Sequence, residues 1–134
     1  VTTTTIAEDY VDALLSRDWD RFVAMLAPDV HREGAEGAET DSVDTREAYL
    51  GWAKNLIDPL YEYSWVVHRV AYGEGGKVAW VEATSQYRVN ESDVPFGYRL
   101  AMVLEINDEN LIQNVSLYWK TPQQRLPGDT ISGN

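Results

Sequence analysis

The chain contains no cysteine. This excludes disulfides, thiolate zinc sites and a cysteine nucleophile, and it fits a reducing compartment. Basic residues are scarce: 11 Lys and Arg stand against 22 Asp and Glu, for a formal net charge of −11. So acidic a chain is poorly suited to tracking a nucleic-acid backbone or an anionic membrane. Long apolar runs are also missing. The longest, Phe22 to Ala27, falls far short of a membrane span. Val1 to Thr5 lack the basic-then-apolar form of a signal peptide, so a cytoplasmic location is expected. Histidine is limited to His31 and His68, on separate segments with no HxH or HxxxH pair, so no metal site is expected. Gly73-Glu-Gly-Gly76 lacks the Lys-Ser/Thr of a phosphate loop and opens no helix.

What is present is enough apolar material for one folded domain: 134 residues, 44% hydrophobic. The first half reads as helices. Thr5-Ile-Ala-Glu8 has capping-box spacing, and Ile6, Tyr10, Ala13 and Leu14 then recur on one helical face. Asp18 can cap a second helix carrying Trp19, Phe22, Val23 and Leu26, with Pro28 just past its end. Val30 to Glu33 reads as a short strand, and Gly34 to Ser42 as a solvated acidic loop holding Glu36, Glu39 and Asp41, with Asp44 just beyond. Asp44-Thr-Arg-Glu47 has the spacing of a second capping box. It opens a third helix with Tyr49, Trp52, Ala53 and Leu56 on one stripe, closed by Asp58-Pro59.

The period then changes. Leu60 to Tyr72, Lys77 to Val89, Phe96 to Asn107 and Leu111 to Lys120 are rich in strand-favouring residues and are separated by short polar turns. The expectation is an α+β domain over residues 1–122, a cone-shaped, curled antiparallel sheet with three N-terminal helices over its concave face, and an extended tail over 123–134. A cone that side chains do not fill is a pocket. Alternation places Phe96, Tyr98, Leu100, Met102, Leu104 and Ile106 on one face, and Val115, Leu117 and Trp119 on the corresponding face of the last strand. The strand from Lys77 reads either way. With Val78, Trp80, Glu82, Thr84 and Gln86 inward, Ala79, Val81 and Ala83 join Ala101 and Val103 outside as a self-association patch, and a homodimer is expected.

The order of signals resembles the nuclear transport factor 2-like superfamily with its cystatin-like fold, and within it the SnoaL-like and ketosteroid-isomerase-like small proteins. The resemblance rests on Tyr10-Val-Asp-Ala-Leu14, Asp18-Trp-Asp-Arg-Phe22, Leu26-Ala-Pro-Asp-Val30, Thr45-Arg-Glu-Ala48 and Leu117-Tyr-Trp119, and spans roughly residues 5–120. It implies that Tyr10 matches the oxyanion-donating tyrosine of ketosteroid isomerases, whereas their two aspartates match Gly34 and Met102. The limonene-epoxide-hydrolase-like pattern is absent: no Arg-x-Asp occurs, and its last-strand aspartate matches Leu117. The same matching puts Gly34, Trp52, Tyr98, Leu100, Met102, Val115, Leu117 and Trp119 on the pocket side.

The functional expectation is a SnoaL-like enzyme without a cofactor, performing acid/base isomerisation, cyclisation or elimination on a small apolar, ring-containing molecule. Tyr10 polarises an oxygen. Glu82, mid-strand beside Trp80, moves a proton, with Thr84 as a hydrogen-bonding neighbour. Trp52, Trp80, Tyr98 and Trp119, with Leu100, Met102 and Leu117, hold the substrate. The alternative is a non-catalytic ligand-binding or dimerisation module of the same fold.

Overall fold

A computed structural model describes residues 5–34, 37 and 39–120. The expected tail over 123–134 therefore lies outside the described residues. In chain order the elements are α1 (Ile6–Leu15), α2 (Trp19–Ala24), β1 (Leu26–Glu33), β2 (Ser42–Val43), α3 (Arg46–Ile57), β3 (Glu62–Tyr72), β4 (Val78–Arg88), β5 (Phe96–Ile106) and β6 (Ile112–Trp119). The strands form one curled, unclosed sheet in the order β2-β1-β6-β5-β4-β3. The β3-β4-β5-β6 meander is antiparallel, as its alternation and polar turns predict. Two features of the sheet have no local sequence signal. β1 runs parallel to β6, and the segment expected to be loop contributes the two-residue β2.

The helix ends depart from the capping expectations in two places. Thr5 makes no side-chain capping bond. The start of α1 is instead held from the sheet: Ala7 N–H donates to the Tyr72 hydroxyl at 3.1 Å, and that hydroxyl donates to Glu8 Oε1 at 2.5 Å. Burial first, and the Glu8 bond second, push the Tyr72 phenol up to about 12. At α3 the cap is Thr45, whose hydroxyl accepts from Ala48 N–H at 3.1 Å, and Asp44 turns away to His31 at 2.6 Å. Asp18 caps α2 as expected, accepting from Arg21 N–H at 3.3 Å. That helix stops at Ala24, and Pro28 lies within β1. There the register with β6 slips between Leu26 and His31, an irregularity that accommodates a residue without an N–H.

The core lies between α1, α3 and the concave sheet face. Ala79, Val81, Ala83 and Ser85 of β4 are buried, in register with Leu104, Met102, Leu100 and Tyr98 of β5. This reverses the expected facing of β4: Trp80, Glu82 and Thr84 lie on the outer face. The reason is volume. α1 crosses the concave side with Ala7 and Val11 close to Val81, so small side chains fit inward and the indole of Trp80, 46% exposed, goes outward. Ala79, Val81 and Ala83 are therefore core, and the outer neighbours are Glu82 and Tyr118 for Ala101 and Trp80 and Ser116 for Val103.

Candidate functional site

Between the helices and the far end of the cone lies a cavity of about 390 Å³. α1 contributes Tyr10 and Leu14, α3 contributes Tyr49, Trp52, Leu56 and Ile57, and the sheet contributes Tyr63, Trp65, Tyr87, Phe96, Tyr98, Leu100, Met102, Leu117 and Trp119. The wall is mostly aromatic. Tyr98 and Trp119 rings lie 5.7 Å apart, Tyr49 and Trp52 5.9 Å, and Trp65 Nε1–H donates to the Tyr63 hydroxyl at 3.1 Å. Leu56 and Phe96, both lining residues, are substantially exposed. A site of this size and lining suits a small, flat, apolar molecule.

Its charged lining residues are Arg32 and Asp41. On β1, Val30 and Arg32 share the inward phase, so the guanidinium is carried into the interior and the Arg32 side chain is 2% exposed. Arg32 Nη1 donates to Asp41 Oδ1 at 2.6 Å, and its Cζ sits 3.7 Å from the Trp52 ring centroid. The pair offsets the cost of burying each charge, and the indole face adds cation–π attraction. Arg32 Nε is buried with no hydrogen-bond partner among the described residues. Asp41 is set by backbone bonds: Gly34 N–H donates to Asp41 O at 2.8 Å, and Asp41 N–H donates to Gly37 O at 3.0 Å. The expectation of a solvated acidic loop is thus corrected at Asp41, whose side chain is 16% exposed.

Beside this pair the hydroxyls of Tyr10 and Tyr49 are hydrogen-bonded to each other. Both phenols are fully buried. Burial, with the neighbouring Tyr49 second, raises Tyr10 well above the ordinary tyrosine value; burial likewise raises Tyr49, against opposing pulls from its Tyr10 bond and Arg32. Both stay protonated at neutral pH and remain hydrogen-bond donors.

Of the sequence-predicted residues, Tyr10, Trp52, Tyr98, Leu100, Met102, Leu117 and Trp119 meet in this cavity. Glu82, Trp80 and Thr84 do not. Glu82 forms ion pairs on the outer face with Arg69 at 2.7 Å and Arg99 at 3.2 Å. Thr84 bonds His68 Nε2 at 2.7 Å on the same face. The sequence reading missed Arg32, Asp41, Tyr49, Tyr63 and Trp65. Arg32 was within reach of the alternation, since it shares the phase of Val30.

Among the described residues, no three or more His, Cys, Asp or Glu side chains form a group able to hold a metal, and no helix is long and apolar enough to cross a membrane. The SnoaL-like domain profile matches residues 7–114. The chain belongs to the SnoaL-like domain family. No curated protein matches this SnoaL-like chain. Among solved structures it is similar to a ketosteroid isomerase candidate from Kribbella flavida, at 25% identity and a TM-score of 0.71, over 94% of this chain and 83% of that one. An LEH-like epoxide hydrolase from M. tuberculosis matches at 17% identity and a TM-score of 0.71, over 88% and 82% of the two chains. A polyketide cyclase candidate from Xanthomonas campestris matches at 19% identity and a TM-score of 0.71, over 88% and 90%. The last two likenesses speak to the SnoaL-like fold alone.

Proposed function

We propose that this SnoaL-like protein is a small-molecule enzyme that isomerises, cyclises or eliminates from an apolar, ring-containing substrate, using its own acid and base groups. The observation that carries the reading is an aromatic-walled cavity of about 390 Å³ whose lining includes a buried ion pair, Arg32–Asp41, and two buried phenols, Tyr10 and Tyr49. The rings bind the substrate's flat body and exclude water. The polar groups receive its oxygen. Negative charge developing on that oxygen is stabilised by the phenol O–H that the Tyr10–Tyr49 bond leaves free and by the Arg32 cation, in a medium where each well-aimed donor contributes about 2.7–4 kcal/mol to the transition state. Self-association through the outer sheet face, around Trp80, Ala101, Val103 and Tyr118, belongs to the same reading.

The test uses β-tetralone, a fused-ring ketone with acidic α-protons, in heavy water, with NMR to follow deuterium uptake. Exchange above the buffer rate, competed by β-naphthol, is the expected result. Saturable β-naphthol binding with no acceleration of exchange supports the non-catalytic binding module instead. Neither binding nor exchange refutes both readings.

A further inference from the structure

We propose that Tyr63 is a second substrate-binding hydrogen-bond donor of this cavity, its hydroxyl set by the Trp65 indole, and that the substrate is a ring compound with two acceptor oxygens held at separate walls. The proposal rests on the reading above that the cavity binds a small ring-containing molecule.

The first argument is local. β3 carries Tyr63 and Trp65 on one face, in register with Tyr87 and Ser85 of β4. Both side chains line the cavity. Their rings meet edge to face at 6.5 Å and 65°, and Trp65 Nε1–H donates to the Tyr63 hydroxyl at 3.1 Å. That bond occupies a lone pair on the phenol oxygen and leaves its O–H unused. Among the described residues no acceptor takes that proton. An indole N–H on the oxygen also polarises the O–H, which makes it a stronger donor.

The second argument is elimination over the phenols of the wall. The hydroxyls of Tyr10 and Tyr49 are bonded to each other. Tyr87 packs at 5.2 Å against the exposed ring of Phe96. Tyr98 packs on Trp119, and no described residue fixes its hydroxyl. Of these phenols, Tyr63 is the one whose oxygen is held by a protein donor while its proton stays free. Burial first, and Tyr98 second, raise its phenol above the ordinary tyrosine value, so it keeps that proton at neutral pH.

The third argument is placement. Tyr10 stands on α1, Tyr49 on α3 and Arg32 on β1, whereas Tyr63 comes from β3, which β6, β5 and β4 separate from β1 in the sheet. The donors therefore reach the cavity from different walls. Tyr49 and Arg32 both bear on the titration of Tyr63, so these groups share one enclosed space. One substrate oxygen goes to the Tyr10, Tyr49 and Arg32 group, and a second, elsewhere on the ring system, accepts from Tyr63. A donor in an aromatic wall loses its water when the cavity fills, and a ring that offers it no acceptor gives nothing back. A site built this way discriminates against a substrate that lacks the second oxygen.

The test is calorimetric titration of the full chain with β-tetralone and with β-tetralones bearing a methoxy group at each aromatic carbon in turn. Each methoxy compound is paired with its ethyl isostere, which keeps the shape and lacks the acceptor. For at least one ring position, the methoxy-over-ethyl affinity ratio of wild type should fall by about three- to tenfold in Tyr63→Phe, while β-tetralone itself binds both proteins within about threefold. A purely structural role of Tyr63 weakens every compound alike and leaves the ratios unchanged. Unchanged ratios overturn the assignment and leave the binding reading standing. Wild type that binds none of the compounds removes the binding reading and the proposal together. If circular dichroism shows Tyr63→Phe unfolded, Trp65→Phe decides. It frees the hydroxyl from its orienting bond, so the same ratio should fall by at least about twofold, and a ratio equal to that of wild type overturns the proposal.

Discussion

The Arg32–Asp41 pair makes an asymmetric prediction about stability. Its two ends are buried to different degrees: the Arg32 side chain is 2% exposed and that of Asp41 16%. Asp41→Asn preserves shape and one acceptor oxygen but leaves the guanidinium without a counter-charge in the interior. Breaking a buried pair in this way costs about 3–5 kcal/mol, and the surviving acceptor places the expected loss near the lower end, about 3 kcal/mol. Arg32→Met removes the buried cation and fills its stem volume, and the stranded Asp41, already in part exposed, can turn to water. Its cost should be smaller, about 1–2 kcal/mol. The double variant should be more stable than the sum of the singles implies, by about 1–3 kcal/mol of coupling. At about 3–5 °C per kcal/mol for a domain of this length, Asp41→Asn should melt about 10–15 °C below wild type. Thermal and urea unfolding followed by circular dichroism on the four proteins measures the cycle. Additive single effects, or Asp41→Asn melting with wild type, would refute the claim that this pair is buried and energetically coupled.

The Tyr10–Tyr49 pair follows the same logic without charge. Tyr49→Phe leaves the buried Tyr10 hydroxyl unpaired and should cost about 1–3 kcal/mol, whereas Tyr10→Phe leaves Tyr49 its Arg32 bond and should cost less; a Tyr10→Phe variant as unstable as Tyr49→Phe would contradict this. Glu82→Gln should leave β-tetralone exchange unchanged, since Glu82 faces away from the cavity between Arg69 and Arg99. On that same outer face Trp80→Asp should convert a dimer into monomers in sedimentation velocity, and a wild type that is already monomeric at tens of micromolar, as a rough scale for weak association, removes the self-association reading. His31 has its pKa raised by its Asp44 bond, with burial opposing and Glu33 assisting. The folded state holds that proton more tightly than the unfolded chain, so the contribution is complete below the unfolded value of about 6.5 and is lost as pH rises through the raised folded value. Wild type should therefore lose stability relative to His31→Asn as pH rises above the unfolded value of about 6.5, and parallel pH profiles would count against the His31–Asp44 bond.

Local patterns carried most of the fold and about half of the pocket. Alternation alone put Tyr98, Leu100 and Met102 inward on β5, and Leu117 and Trp119 inward on β6, because each of those strands has one face clearly more apolar. β4 misled because both of its faces carry apolar residues. Small Ala79, Val81 and Ala83 compete with large Trp80, and hydrophobicity does not rank them. The approach of α1 does, and that is a tertiary fact. Arg32 was legible in phase with Val30 but masked by its charge, since an arginine on a strand reads as solvent-facing until a buried partner is known. That partner, Asp41, depends on a turn that folds residue 41 back over residue 34, and no spacing rule encodes it. The same holds for Tyr72, which replaces Thr5 as the cap of α1 from across the domain, and for the parallel β1–β6 pairing, which joins the two halves of the chain.

The central claim is that a flat apolar molecule binds inside the cone, and the chain's two methionines make that directly measurable. Met102 lines the cavity on β5, and Met25 ends α2 away from it. With methyl-labelled methionine, titration of β-naphthol should shift the Met102 resonance strongly, give ligand-to-methyl cross-peaks at Met102, and leave Met25 in place. A Met102 signal unmoved at saturating ligand, or a shift confined to Met25, would contradict the account.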